Sequence, residues 1–125
     1  MKCLDTSVVV DHLRGHPAAV ELLESLVDRG EEAVASEVVR FELLAGVRSR
    51  ELRTLEAFFS ALAWVPVSEE VAREAGRFAR RYRRGHAGIG AADYLIGATS
   101  VVLRADLLTT NVRHFPMFAG LRAPY

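Results

Sequence analysis

The sequence predicts an α/β domain with a mostly parallel sheet of short strands. Short apolar runs alternate with segments whose apolar residues recur at helical spacing, which is the pattern of repeated strand–helix units. Half of the residues are hydrophobic, so the chain has the composition to bury a core. Its length of 125 residues suits a single domain spanning 1–125.

The first half of the chain carries two strand signals and four helix signals. Gly15, Pro17 and Gly30 mark turns, and Ser36 is a suitable N-cap before an apolar helix. The predicted elements are a strand at residues 2–5, helices over Ser7–Leu13 and Pro17 to about Asp28, a strand over Ala33–Ala35, and helices over Glu37–Leu44 and Glu51–Leu62.

The second half continues the alternation. Ser68 is an N-cap, and the glycines between residues 85 and 90 indicate a loop. The predicted elements are a strand over Trp64–Val67, a helix from Ser68 to about Arg84, a helix over Ala91–Leu103, a strand over Leu107–Thr110 and a fifth strand near the end.

Charge is distributed unevenly, although the net charge is zero. Residues 1–62 carry a net charge of −4 and residues 63–125 a net charge of +4, which favours an acidic pocket beside a basic rim. No apolar run approaches the roughly 20 residues that a membrane span needs. The single cysteine, Cys3, cannot form an internal disulfide, which suits a reducing cytoplasm.

Three carboxylates occupy positions where an acid is unexpected. Asp5 follows the first strand, Glu42 borders the apolar stripe of its helix, and Asp93 opens an otherwise apolar helix. Each also has an ordinary structural explanation. Asp5 could cap the helix that follows it, Glu42 could simply face solvent, and Asp93 could be stabilised by the dipole of its helix. The stripe of the Glu42 helix expected to face inward consists of Val38, Phe41, Leu44 and Ala45.

Parallel sheets gather their sites outside the carboxyl ends of the strands, so these three acids are expected to meet at one sheet edge. Unpaired carboxylates at one place repel one another, and the repulsion raises at least one pKa. A hard divalent cation such as Mg²⁺ or Mn²⁺ relieves this repulsion. The sequence therefore favours a metal site over three unrelated acids.

Four segments in register resemble the PIN-domain family. LDTS is similar to the opening of these proteins, SEVVRFELLAG to their glutamate-bearing helix, IGAADYLIGATS to their later acidic helix and LLTTNVRHF to their T-x-N-x-x-[D/H]-F segment. The resemblance covers the whole chain and fits the short toxins of VapBC toxin–antitoxin pairs. It implies a PIN-like three-layer fold with about four to five strands.

The resemblance also implies a function, that of a metal-dependent endoribonuclease toxin. Asp5, Glu42 and Asp93 match the family's acidic triad, which would hold one or two Mg²⁺ or Mn²⁺ ions for in-line hydrolysis of RNA to a 5′-phosphate and a 3′-hydroxyl. A homodimer in the cytoplasm and a cognate VapB-like antitoxin are implied as well. Apolar residues of the early helices would form the antitoxin groove, with ordinary core packing as the alternative: Leu13, Val20, Leu43, Val47, Leu52, Leu55, Phe58 and Phe59.

The late segment departs from the family pattern. Many relatives carry a fourth acid there, whereas this chain has Asn111, whose amide brings no charge and leaves the second metal in question. Thr6, Ser7, Thr110 and Asn111 are the candidates for orienting the metal ligands, with ordinary helix capping as the alternative for Thr6 and Ser7.

A run of arginines leads into the loop before Asp93. Arg77, Arg80, Arg81 and Arg84 recur at three- and four-residue steps, which indicates either a solvated helix face or a rim that contacts RNA phosphates. The histidines lack the spacing of a zinc site. His86 is interpreted as a loop residue and His114 as a packing or substrate contact.

Other classes of protein fit less well. A haloacid-dehalogenase-type phosphatase needs a second Asp where this chain has Ser7, and a receiver domain needs a late Lys, whereas the only lysine is Lys2. The remaining alternative is a catalytically weak PIN-like module that binds RNA or protein. Metal-dependent cleavage by the purified protein separates this module from a nuclease.

Overall fold

Four parallel strands form one sheet in the computed structural model, which describes residues 1–125. The sheet has the order β3-β2-β1-β4, and Cys3 of β1 lies in register with Val34 and Leu107 on either side. The parallel sheet is confirmed, and the fifth strand predicted near the end does not form. The strands are β1 (Lys2–Leu4), β2 (Ala33–Ser36), β3 (Ala63–Val65) and β4 (Asp106–Leu108).

Six α-helices connect and flank the strands. The bounds of the second and sixth match the sequence prediction. The fourth is shorter than predicted at both ends, because Glu51 belongs to a separate 3₁₀ turn (Ser49–Glu51) and the helix already ends at Phe59. None of the helices combines the length and apolar character needed to cross a membrane. The helices are α1 (Thr6–Leu13), α2 (Pro17–Asp28), α3 (Glu37–Gly46), α4 (Leu52–Phe59), α5 (Glu69–Tyr82) and α6 (Ala91–Leu103).

Both predicted serine caps are present. The Oγ of Ser36 accepts the backbone N–H of Val38 at 3.1 Å, and the Oγ of Ser68 accepts that of Val71 at 3.2 Å. Each bond satisfies a donor that the first turn of a helix leaves without an intrahelical partner. The caps fix where α3 and α5 begin, and α3 starts directly at the end of β2.

The buried face of α3 differs from the prediction. Val39 is fully buried and Leu43 is 6% exposed, whereas Phe41 is 68% exposed. The helix is apolar on more than one face, so a 3.6-residue period allows two adjacent stripes and does not choose between them. Packing selects the Val39–Leu43 stripe, because these side chains join the main core cluster.

The segment after β4 folds back onto α6. Phe115 is 1% exposed and belongs to the main core, and its ring lies 3.4 Å from the position that a Cβ on Gly97 would occupy. A Cβ at Gly97 would make an ordinary van der Waals contact with this ring, so the segment after β4 packs closely on α6 without steric strain. The packing brings the 3₁₀ turn Val112–His114 close to the start of α6.

Candidate active site

Asp5 lies at the carboxyl end of β1 and is only 3% exposed. Its backbone N–H donates to the carbonyl of Leu108 at 3.0 Å, which fixes it beside the end of β4. Asp5 occupies the N-cap position of α1, yet its side chain makes no capping hydrogen bond. The ordinary capping explanation for this acid therefore does not account for it.

Two hydroxyls hold the carboxylate of Asp5. Ser7 Oγ donates to Asp5 Oδ2 at 2.9 Å, and Thr109 Oγ1 donates to the same oxygen at 2.7 Å. Because both hydroxyls donate to the same oxygen, these two bonds fix the orientation of the group. No hydrogen bond reaches Oδ1, which leaves one carboxylate oxygen for a ligand.

Thr109 was not predicted as a site residue, although it follows β4 directly. It is fully buried, and its Oγ1 also accepts the backbone N–H of Asn111 at 2.9 Å. The backbone N–H of Thr110 donates to Ser7 Oγ at 3.1 Å. Thr110 and Asn111 thus join the network through their backbones. The sequence feature that could have identified Thr109 was its polar side chain near the end of a predicted strand.

Glu42 is held by the residue next to Asp5. Thr6 Oγ1 donates to Glu42 Oε1 at 2.6 Å, which joins the first turn of α1 to α3. Glu42 is half-buried, in contrast to the solvated position that is common for a glutamate. The adjacent hydroxyls of Thr6 and Ser7 therefore each hold a different carboxylate, and neither acts as a simple helix cap.

Asp93 lies in the first turn of α6 with its side chain 19% exposed. Its Oδ2 accepts the backbone N–H of Gly90 at 3.2 Å and lies 3.2 Å from Nδ1 of His114. Burial raises the pKa of Asp93, and the charge of Asp5 raises it further, while the Gly90 N–H and His114 oppose this rise. His114 is therefore a neighbour of the site, in addition to the packing or substrate role predicted for it.

The three acids are near one another without forming a closed metal cage. Asp5 and Asp93 interact electrostatically, and Glu42 is bonded to Thr6, the residue after Asp5. No group of three His, Cys, Asp or Glu side chains is placed to hold an ion by itself. Mg²⁺ keeps several waters and needs only one or two protein carboxylates, so this set of oxygen donors fits such an ion.

The predicted arginines fall into two groups. Arg77 is paired with Glu74 within α5, so its charge is compensated. Arg80, Arg81 and Arg84 lie at or just beyond the end of α5, and none of them makes an ion pair. The uncompensated positive charge is thus concentrated beside the loop that leads to Asp93.

A groove lies between α1, α3 and the Ser49–Glu51 turn with the start of α4. Its volume is about 350 Å³, and of the eight predicted apolar residues four line it: Leu13, Leu43, Val47 and Leu55. Phe59 belongs to the buried core, at 4% exposure. Glu42 is one of the residues that line the groove, so the groove reaches the acidic site.

The chain is similar to known proteins over its whole length. Residues 2–120 match the PIN domain family. The chain is 64% identical to "Ribonuclease VapC19" of Mycobacterium tuberculosis across the full length of both chains. It is 42% identical to "Ribonuclease VapC10" of the same organism, covering 100% of this chain and 93% of that protein.

Solved structures share the fold. A toxin–antitoxin complex from Klebsiella pneumoniae superposes with a TM-score of 0.81 at 24% identity, covering 100% of this chain and 98% of that one. DNA-bound VapBC from Salmonella typhimurium gives a TM-score of 0.82 at 21% identity, covering 98% and 95%. The family match and the two full-length relatives show that this chain belongs to the PIN-domain family and, within it, to the VapC ribonucleases.

Proposed function

We propose that this chain is a metal-dependent endoribonuclease and the toxin of a type II toxin–antitoxin pair. The observation that carries this proposal is a buried Asp5 at the carboxyl end of a parallel sheet, close enough to Asp93 that burial and the charge of Asp5 both raise the Asp93 pKa. Perturbed carboxylates in such a position are typical of catalytic sites. Identity of 64% to a ribonuclease over the full chain supports the same reaction.

Asp5, Glu42 and Asp93 would hold a Mg²⁺ or Mn²⁺ ion. Such an ion, when bound, lowers the pKa of water and neutralises charge that develops on the phosphate. Ser7 and Thr109 donate to Oδ2 of Asp5 and so would leave Oδ1 available to an ion, and the hydrogen bond from Thr6 would orient Glu42. Asn111 supplies no fourth negative charge, which favours one ion over two.

The RNA backbone would lie along the end of α5. Arg80, Arg81 and Arg84 have no acidic partner within the chain, so their charge is available to phosphates. Arg77, compensated by Glu74, contributes less. Contacts of this kind position the backbone and carry no sequence information, so they suit an enzyme whose specificity is set elsewhere.

The groove beside Glu42 would take a segment of a VapB-like antitoxin. Its floor is apolar, its rim carries Arg14, Arg50 and Glu51, and Leu13 remains 37% exposed. A peptide with apolar anchors fits such a groove. Solved proteins of the same fold are described as VapBC and toxin–antitoxin complexes. A segment in this groove would lie against the acidic site and would block it.

A homodimer in the cytoplasm is part of the proposal. The exposed side of α3 carries Phe41, at 68% exposure, and Leu44, at 38%, which is the kind of apolar surface that a second copy covers. Cys3 is buried, and burial raises the pKa of its thiol to about 12, so it stays an unreactive core residue. A lone buried thiol suits a reducing compartment.

The deciding experiment is cleavage of single-stranded RNA by the purified protein with Mg²⁺, with Mn²⁺ and with a chelator. We expect cleavage only with metal, and Asp93→Asn should lower it by more than the roughly 100-fold that changes beyond the metal ligands cause. Asp106→Asn is the matched control, because Asp106 lies in β4 and pairs with Lys2. Metal-independent RNA binding without cleavage would instead support the binding-module alternative.

A further inference from the structure

The junction between α5 and α6 carries an aromatic pair that the acidic site does not use. Tyr82 ends α5, and His86 lies in the following loop with its ring centroid 5.6 Å from that of Tyr82, at an interplanar angle of 75°. The guanidinium carbon of Arg81 lies 5.3 Å from the Tyr82 centroid. Arg81, Tyr82 and His86 are called the α5–α6 platform below.

The α5–α6 platform is fixed on one side and open on the other. Tyr82 is half-buried and packs against the second core cluster of α5 and α6, which contains Ala75 and Tyr94. His86 Nδ1–H donates to the carbonyl of Tyr82 at 3.2 Å, while the His86 side chain and Arg81 remain exposed. Groups that are already ordered bind a ligand without a further loss of conformational entropy.

The surroundings of the α5–α6 platform are positively charged. Residues 80–90 contain four arginines and no acid, and none of Arg80, Arg81, Arg83 and Arg84 makes an ion pair. Aromatic rings among free cations are the chemistry that binds a single nucleic-acid strand, because bases stack on rings and guanidinium planes while phosphates pair with the arginines. A base-paired helix offers no open base face to such a surface.

The α5–α6 platform is also close to the acidic site. His86 precedes Gly90 by four residues, a span of at most about 14 Å even when fully extended. The backbone N–H of Gly90 in turn contacts Asp93. A strand whose backbone enters the acidic site is therefore long enough, with about one or two further nucleotides, to reach the α5–α6 platform.

We propose that the α5–α6 platform stacks one unpaired nucleobase of the RNA, next to the phosphodiester that is cut. This inference rests on the proposed ribonuclease function and deepens it. The substrate is RNA that is unpaired at that nucleotide, such as a loop or an end, and the neighbouring arginines hold the flanking phosphates.

The test measures binding in chelator, in an Asp93→Asn background that does not cleave. The probe is a single-stranded RNA containing 2-aminopurine, compared with the same RNA annealed to its complement. His86→Ala and Tyr82→Leu should each weaken single-strand binding roughly 5- to 150-fold, as loss of a stacked base does. Tyr82→Phe and His86→Trp, which keep a ring, should retain it, and duplex binding should change little.

His16→Ala is the matched control, since His16 is also exposed and pairs with an aromatic ring, that of Tyr125, at 5.2 Å. Equal affinity of His86→Ala and His16→Ala for the single strand would overturn the stacking subsite, and so would equal weakening for single strand and duplex. If a variant of the α5–α6 platform lost binding to the antitoxin but kept its binding to RNA, the stacking subsite would be overturned as well.

The ribonuclease proposal and the stacking proposal would fail through different experimental results. If the wild-type protein cleaves RNA with metal but the α5–α6 platform variants bind normally, the ribonuclease stands and the stacking subsite is wrong. If the wild-type protein does not cleave but the variants lose single-strand binding, the α5–α6 platform binds unpaired RNA, but the ribonuclease proposal fails and with it the placement of the base beside a cut phosphodiester. Thermal melting of Tyr82→Leu shows whether its effect reflects folding, and the exposed His86 gives an independent measurement.

Discussion

Thr109 donates a 2.7 Å hydrogen bond to Oδ2 of Asp5 and so joins the end of β4 to the end of β1. Thr109 is fully buried and Asp5 is 3% exposed, so water does not replace this bond if it is lost. The same hydroxyl accepts the N–H of Asn111, which fixes the turn after β4. One side chain therefore couples the position of a proposed metal ligand to the segment that leads to His114.

The first prediction concerns this bond. Thr109→Val keeps the shape of the side chain but removes the donor, so Asp5 loses orientation and metal-dependent cleavage should fall about 10- to 100-fold. Thr99→Val is the matched control, because Thr99 is also fully buried but donates to the carbonyl of Leu95 within α6. Equal loss of activity in the two variants, measured as initial cleavage rates, would refute a positioning role for Thr109.

The second prediction concerns pH and metal-free stability. Burial, with a contribution from Asp5, raises the pKa of Asp93 in the folded protein above the value of about 3.9 in the unfolded chain. The folded state thus holds this proton more tightly, and the ionised group lowers the free energy of unfolding at neutral pH. Asp93→Asn should therefore melt higher than wild type in chelator, and the difference should shrink as pH falls through the raised pKa towards about 4.

Asp106→Asn is a control whose effect on the melting temperature should have the opposite sign. Lys2 lowers the pKa of Asp106, so Asp106→Asn should melt lower than wild type at neutral pH. This loss should begin to shrink as pH falls below the ordinary pKa and should vanish once pH has fallen through the lowered pKa of the folded state. Mg²⁺ or Mn²⁺ should raise the melting temperature of wild type by binding only the native state, and Asp93→Asn should lose most of this gain. An Asp93→Asn protein that melts lower in chelator and gains fully from metal would show that Asp93 only caps α6, through its bond to the N–H of Gly90.

The third prediction concerns the groove. Leu13→Glu places a charge at its apolar entrance, where burial of a leucine stabilises a complex by roughly 1.5–3 kcal/mol, so affinity for the antitoxin should fall at least about 10-fold. Val101→Glu on α6 is the control, because Val101 is 38% exposed and Leu13 is 37% exposed. The antitoxin for this measurement is the protein encoded by a small reading frame just upstream of the gene for this chain. Calorimetry gives its affinity for each variant. RNA cleavage should be the same in both variants, and unchanged antitoxin affinity in Leu13→Glu would exclude this groove.

The fourth prediction concerns the exposed face of α3. Phe41→Glu should shift a homodimer to monomer at micromolar concentration without unfolding the protein, because the ring is 68% exposed and contributes little to the core. Val27→Glu, at a position 78% exposed on α2, should leave the dimer intact. Light scattering during size-exclusion chromatography gives both masses, and a wild-type monomer would contradict the dimer directly.

Signals that are local in the chain were sufficient to predict most elements. The alternation of apolar runs with amphipathic segments predicted the parallel sheet, and the Ser36 and Ser68 caps set helix starts that the structure confirms. The bounds of α2 and α6 were correct because Pro17 begins one and the loop glycines precede the other. Asp5 and Asp93 could be selected as site candidates because each carries a charge where the surrounding sequence is apolar.

Relationships between distant residues were decided by tertiary packing alone. The sequence placed Phe41 in the core, whereas packing against the sheet chose Val39 and Leu43, because α3 is apolar on adjacent faces. The contacts Thr109–Asp5 and His114–Asp93 join residues 104 and 21 positions apart, and no periodicity in the chain encodes them. They exist because β4 pairs with β1 and Phe115 packs against α6, so the shape of the core determines which polar groups meet at its edge.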